Sequence, residues 1–219
     1  GCGSAPVAEL PAPVGPPVSR PLTEHPAGSV QPIPSDSLVL YGNDVKVDRA
    51  RDRVTFGGRS APTCREPIDG ATLDRGARVA VLCGRERALD IYDAATLERL
   101  GRTGAGIGPT AVVTDGVELL WVTDLLGDAL LVYRLRPFQL IRRVHLGGGP
   151  YAIAFDRERR GLWIALAGTN RLVHYSAGSR PVILEDLPSI RNAREIFVSD
   201  DTVTVQSDRE RQTLRLRSR

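Results

Sequence analysis

No methionine occurs anywhere in these 219 residues, and lysine occurs once, at Lys46. A translated chain begins with Met, so the reading is that an N-terminal piece has been removed. Histidine is almost as scarce, with only His25, His145 and His174 present. They form no His-Glu-x-x-His pair, and no paired-cysteine ligand pattern exists, so no metal set is assigned. Gly147-Gly148-Gly149 has the composition of a phosphate cradle, but no helical pattern follows it, and it reads as a turn. No catalytic residue and no cofactor is assigned. No run of 18 apolar residues is present, which excludes an apolar membrane-spanning helix. A net charge of +3 is too small to argue for nucleic acid. The mixed-sign runs Asp156–Arg160 and Asp208–Arg211 read as solvated turns.

What the chain does have is a repeat. Trp121-Val122-Thr123 returns as Trp163-Ile164-Ala165, 42 residues later. Ala129–Tyr133 returns as Asn170–His174, and Gly108-Pro109 as Gly149-Pro150, each 41 residues later. A period near 40 in short apolar runs is the mark of a β-propeller blade. Third strands are expected to begin at Ala88, Ala129, Asn170 and Arg211, and residues 38–57 form a weaker first copy. Each full copy divides into four strands, joined by charged or glycine-rich turns. The second strand is almost wholly apolar, as in Leu119-Leu120-Trp121-Val122, because a blade packs on both faces. Trp121 and Trp163 are accordingly read as blade core. The fourth strand is mixed, as in Arg142-Arg143-Val144-His145, which suits an outer rim. His145 and His174 are both placed on outer strands. The expected fold is all-β: a small propeller of about 4–5 blades of four-stranded antiparallel sheet.

The first residues have a different texture. Gly1-Cys2-Gly3-Ser4 resembles the cleavage site of bacterial lipoproteins, in which a small residue precedes the cysteine that takes the lipid. The resemblance implies lipidation at Cys2. Nine of the sixteen prolines then fall between residues 5 and 36. Proline fixes φ and removes a donor, so this stretch is expected to stay disordered and outside any sheet. The domain reading is a lipid-anchored tether over residues 1–36 and a propeller over residues 37–219.

Trp121-Val122-Thr123-Asp124, with Gly127-Asp128-Ala129-Leu130 and Gly148-Gly149-Pro150, resembles the YVTN repeat of extracytoplasmic β-propellers, a group that includes lactonase-like members. The resemblance covers roughly residues 68–217. Propeller ligands usually meet the face where first strands begin, here Thr110, Tyr151 and Asn192. The loops between second and third strands border that face and offer Arg85, Arg87, Asp124, Asp128, Asn170, Arg171 and Arg209. Asp124 and Asp128 could share a cation with backbone oxygens, but a solvated turn is the simpler reading. The expected function is a non-enzymatic extracytoplasmic lipoprotein, anchored to the bacterial cell membrane through its lipid alone. It would serve as a scaffold for a protein or cell-envelope component. A lactonase-like hydrolase is one alternative, and a pI near 9.0 leaves a binder of acidic cell-wall polymers as another.

With Cys2 assigned to lipid, Cys64 and Cys83 remain, an even count in an oxidising compartment, and a disulfide between them is expected. The alternative is that Cys83 is simply a small buried residue of its strand. The strand count comes to about 18, with an incomplete first and an incomplete last blade. Leu38–Tyr41 is expected to sit beside Thr213–Arg217 and close the ring within one chain. A homodimer completing one larger ring is the alternative.

Overall fold

The computed structural model describes residues 22, 24–32 and 45–216. Among them the chain is all-β, with nineteen strands and a single helical turn at Asp74–Gly76. The strands form five antiparallel sheets. The first sheet holds β2 (Lys46–Asp48), β3 (Arg53–Phe56) and β4 (Arg59–Pro62). The second holds β5 (Pro67–Leu73), β6 (Arg78–Cys83), β7 (Ala88–Asp93) and β8 (Arg99–Gly104). The third holds β9 (Pro109–Thr114), β10 (Leu119–Asp124), β11 (Ala129–Leu135) and β12 (Phe138–His145). The fourth holds β13 (Pro150–Asp156), β14 (Gly161–Leu166), β15 (Arg171–Ser176) and β16 (Ile183–Pro188). The last holds β17 (Glu195–Val198), β18 (Thr202–Gln206) and β19 (Glu210–Arg215), completed by β1 (Ser29–Pro32) from the N-terminal side.

The expected pattern of burial holds in the middle blades. Every residue of β10 and of β14 is buried, whereas β12 alternates between half-buried and exposed. The reason is that second strands are covered on both faces by neighbouring sheets, while fourth strands lie on the rim. Four apolar cores result. Val45, Val54 and Cys64 pack on Val79, Val81 and Tyr92 between the first two sheets. Leu82 and Leu89 meet Leu120, Val122 and Tyr133 in the next. Trp121 and Val132 meet Leu162, Ile164 and Tyr175. Trp163 and Leu172 meet Ile196, Val203, Val205 and Leu214. Each fully buried Leu or Ile in these layers contributes about 2 kcal/mol.

Among the described residues, the five sheets are joined in sequence by these four cores. Among the described residues, no core joins the first sheet to the last. The two end sheets explain this by their polarity. In β18, Val203 and Val205 face the fourth sheet, while Thr202, Thr204 and Gln206 face the other way into the central channel. In β3, Val54 and Phe56 pack inward, and Arg53 uses its outward side to bond Ser60.

The structure corrects the expectations at the N-terminal side. Residues 5–36 were read as lying outside the sheet, yet Ser29–Pro32 pair antiparallel with Thr213–Glu210 as the fourth strand of the last blade. A proline is tolerated there because β1 is an edge strand and Pro32 is its last residue. Strand lending by the N-terminal part is therefore present, through Ser29–Pro32; Leu38–Tyr41 lie outside the described residues. Gln212, fully buried, clasps the arrangement: its amide donates to Ala27 O (2.8 Å) and Pro188 O (2.9 Å) and accepts from Ser189 Oγ (3.0 Å) and Ile190 N–H (3.1 Å). All four of its polar positions are thereby satisfied.

Strand β4 is reached through a two-residue turn at Gly57-Gly58 with φ of 55° and 77°. The rim strand of the fourth sheet is Ile183–Pro188. His174 lies on β15, a third strand, and is buried; only His145 is on a rim strand.

Candidate functional site

The first strands of the second to last sheets surround a channel with a volume of about 1230 Å³. Its wall includes Asp69, Thr110, Tyr151, Arg194 and Glu195, and extends over the uncovered side of the last sheet to Gln206, Arg211, Thr213 and Gln31. Arg49, from the turn after β2, also lines it.

Two of the sequence-expected residues stand in this wall. Thr110 Oγ1 donates to Tyr151 O (2.7 Å) and shares a hydrogen bond with Thr123 Oγ1 (2.9 Å), tying the third sheet to the fourth. Burial pushes the Tyr151 hydroxyl above its ordinary value, the positive charges of Arg194 and Arg49 pull it back, and Asp208 and Glu195 add to the rise. The tyrosine is thus the centre of a charged cluster at the channel wall. Burial likewise raises the Glu195 carboxyl, and its Oε2 has no hydrogen-bond partner among the described residues. Arg194 pairs with Asp208 at 3.1 Å. Asp69 is committed to backbone, accepting from Gly70 N–H and Val112 N–H at 2.8 Å each.

The other expected face residues do different work. Asp124 is fully buried and is not on an accessible face; its Oδ1 accepts from the N–H groups of Ile107 (3.1 Å), Gly108 (2.7 Å) and Gly127 (3.1 Å). Asp128 Oδ1 accepts from Gly148 N–H and Gly149 N–H at 2.9 Å each, which fixes the Gly147–Gly149 turn between blades. Arg87, Asp128 and Asn170 all have positive φ, and their carbonyls accept from Ala105, Leu146 and Ser189 at 2.8, 3.0 and 2.9 Å. The same device recurs in the first sheet, where Asp52 O accepts from Thr63 N–H at 2.8 Å. These are turn residues that stitch the end of each fourth strand to the hairpin beside it. Arg171 bridges Asp186 and Glu24 at 2.8 Å each, and its hydrogen bond with Asp186 leads the upward shift of its pKa. Arg85, Asn192 and Arg209 are exposed and lie outside the channel wall.

Cys64 and Cys83 form a disulfide, with Cα atoms 5.8 Å apart. It ties the linker between the first two sheets to the end of β6. Beside it, Asp90 is fully buried and held by Arg102 through two bonds of 2.6 and 2.8 Å. Cys64, Cys83 and Asp90 are the one group of three potential metal ligands among the described residues, and its two sulfurs are bonded to each other. Cys2 lies outside the described residues.

Sequence reasoning missed Arg49, Arg194, Glu195, Gln206 and Arg211. Part of the signal was present: Val203-Thr204-Val205-Gln206 alternates where the corresponding Leu162–Leu166 is continuously apolar. A second strand that alternates has one face without an apolar neighbour.

A scan against protein-family models finds no match, and a search of curated proteins finds none. Solved structures do match. A functionally unknown protein from Desulfotomaculum acetoxidans DSM 771 aligns with a TM-score of 0.64 at 11% identity, over 74% of this chain and 58% of that one. A chain of the mitotic checkpoint complex gives 0.68 at 12% identity, over 81% and 60%. The computationally designed Ika8 protein gives 0.61 at 12%, over 81% and 57%. The chain therefore spans less than two thirds of the length of each. At these identities the likeness is one of fold alone, and that fold is β-propeller-like.

Proposed function

We propose that this chain is a non-enzymatic binding scaffold that works outside the cytoplasm, held at the bacterial cell membrane by a lipid on Cys2 and presenting its channel to a protein or cell-envelope component. The observation that carries the binding role is the wide polar channel, continuous with an uncovered sheet face on the last blade. Four packed cores hold that wall rigid, so little ordering cost attends binding. The Cys64–Cys83 bond supports an oxidising compartment. The test joins two experiments. The full precursor, expressed in a bacterium and fractionated, is expected in the membrane, and Cys2→Ala is expected to release it; equal retention of both ends the anchor. A cross-linked pull-down from native membranes is expected to recover one dominant envelope component, lost when Tyr151→Ala and Arg194→Ala are combined. Recovery unaffected by that pair removes the channel from the reading.

A further inference from the structure

The uncovered face of the last sheet is ordered as two rows. Strand register sets Glu195, Gln206, Arg211 and Gln31 side by side across β17, β18, β19 and β1. The neighbouring row is Phe197, Thr204, Thr213 and Ser29. Cross-strand neighbours stand roughly 5 Å apart and the rows about 7 Å apart. The result is a lattice of amide, hydroxyl and guanidinium groups, with one aromatic ring at its channel end. Among its bonds, Arg211 donates to Gln206 Oε1 (3.2 Å), Ser29 Oγ donates to Thr213 O (3.4 Å), and Thr204 and Thr213 share a long contact of 3.4 Å between hydroxyls. Gln206 is buried, Glu195, Thr204, Arg211 and Thr213 are half-buried, and Ser29 and Gln31 are exposed.

The charge around this lattice is positive. Among the described residues, Arg211 has no carboxylate partner, and Arg49 lines the same channel with neither a hydrogen bond nor an ion pair. The wall holds two acids, Asp69, which accepts from backbone N–H groups, and Glu195, whose carboxyl pKa burial raises, against four arginines, Arg49, Arg157, Arg194 and Arg211. A planar guanidinium recognises carboxylate through paired hydrogen bonds. Rows of Thr and Gln suit hydroxyl groups, and the Tyr151 ring stands in the same channel wall.

We propose that this lattice, with Arg49 across the channel, binds a segment of an anionic polysaccharide bearing carboxylates of the uronic-acid kind. The proposal rests on the binding-scaffold reading but not on the lipid anchor. Another blade is a poor occupant because the face has no apolar layer to bury. An acidic peptide would supply the charge but not the regular hydroxyls.

The test uses the purified full chain and calorimetric titration with oligogalacturonate, with its methyl-esterified form and poly-glutamate as comparison probes. Oligogalacturonate is expected to bind, and the neutral ester to bind about tenfold more weakly, as loss of a charged hydrogen-bonded pair dictates. Arg211→Gln and Thr204→Val should each weaken binding with unchanged melting, and Arg180→Gln, exposed on a distant loop, should leave it unaltered. No binding of oligogalacturonate, equal binding of the ester, or equal loss in Arg180→Gln overturns the proposal. Tighter binding of poly-glutamate overturns it in favour of an acidic protein partner. None of these outcomes bears on membrane fractionation, so failure here and failure of the anchor are separable.

Discussion

His174 lies flat against Trp163 across β14 and β15, with ring centroids 4.2 Å apart and planes 6° from parallel. Neither His174 Nε2 nor Trp163 Nε1 has a hydrogen-bond partner among the described residues. The close fit depends on Gly161, where a Cβ would stand 2.0 Å from His174 Nε2. The imidazole is therefore packed as an aromatic plate against the core between the fourth and last sheets.

That packing makes the fold acid-sensitive. Burial lowers the His174 pKa below 6.5; Glu185 and Asp156 oppose the shift and Arg159 adds to it. A depressed folded value means the unfolded chain takes up the proton first. The contribution is full above pH 6.5 and is lost as pH falls through the folded value. Melting followed between pH 7.5 and about 5 should show this loss in the wild type and a flatter profile in His174→Phe, which keeps the stack. Parallel profiles would remove His174 as the cause.

The disulfide should matter to stability more than to the path of the chain. It closes 19 residues of sequence separation, for which chain entropy gives about 3 kcal/mol. The Cys64→Ala/Cys83→Ala double variant is expected to unfold at lower denaturant with a similar slope. Asp90, Arg102 and Tyr92 stay tied to β7 and β8 and should hold the blade. A midpoint within error of wild type would show the cross-link to be energetically idle.

Removal of residues 1–32 should be far more costly than removal of residues 1–21. The longer deletion strips β1 from β19 and leaves Gln212 Nε2 without Ala27 O. It also exposes an edge strand. Light scattering and thermal melting should report a lower midpoint and self-association for the longer deletion only. Identical behaviour of the two would mean that β1 adds nothing to the last blade.

Most of the fold was legible because blades obey simple arithmetic. The third strands begin at Ala88, Ala129, Arg171 and Glu210, within one residue of the expected positions. The buried second strands announced themselves by continuous apolar runs. β1 was not legible, because Ser29-Val30-Gln31-Pro32 is exposed at every position and is held by backbone pairing and by Gln212. No composition signal marks a strand whose side chains bury nothing. The candidate site was legible only at Thr110 and Tyr151. Asp124 and Asp128 sit in turns where a carboxylate can serve solvent, a ligand or the backbone, and three-dimensional closure by Ile107, Gly108, Gly148 and Gly149 decides among these. Glu195, Gln206 and Arg211 are far apart in sequence, and only sheet register sets them in one row.

The polarity of the two end sheets has a consequence for how such a chain can change length. A closed wheel must match its blade number to its circumference, so gaining or losing one blade alters every joint. An arc has no such condition. Among the described residues the joints here are pairwise, each between two neighbours, and the outermost faces carry threonine, glutamine and arginine in place of leucine. Duplicating one interior blade would add one joint and leave both finished ends as they are. Size in this architecture is thus a free variable for evolution or for a designer, and the composition of the two outermost faces is the part that must be kept.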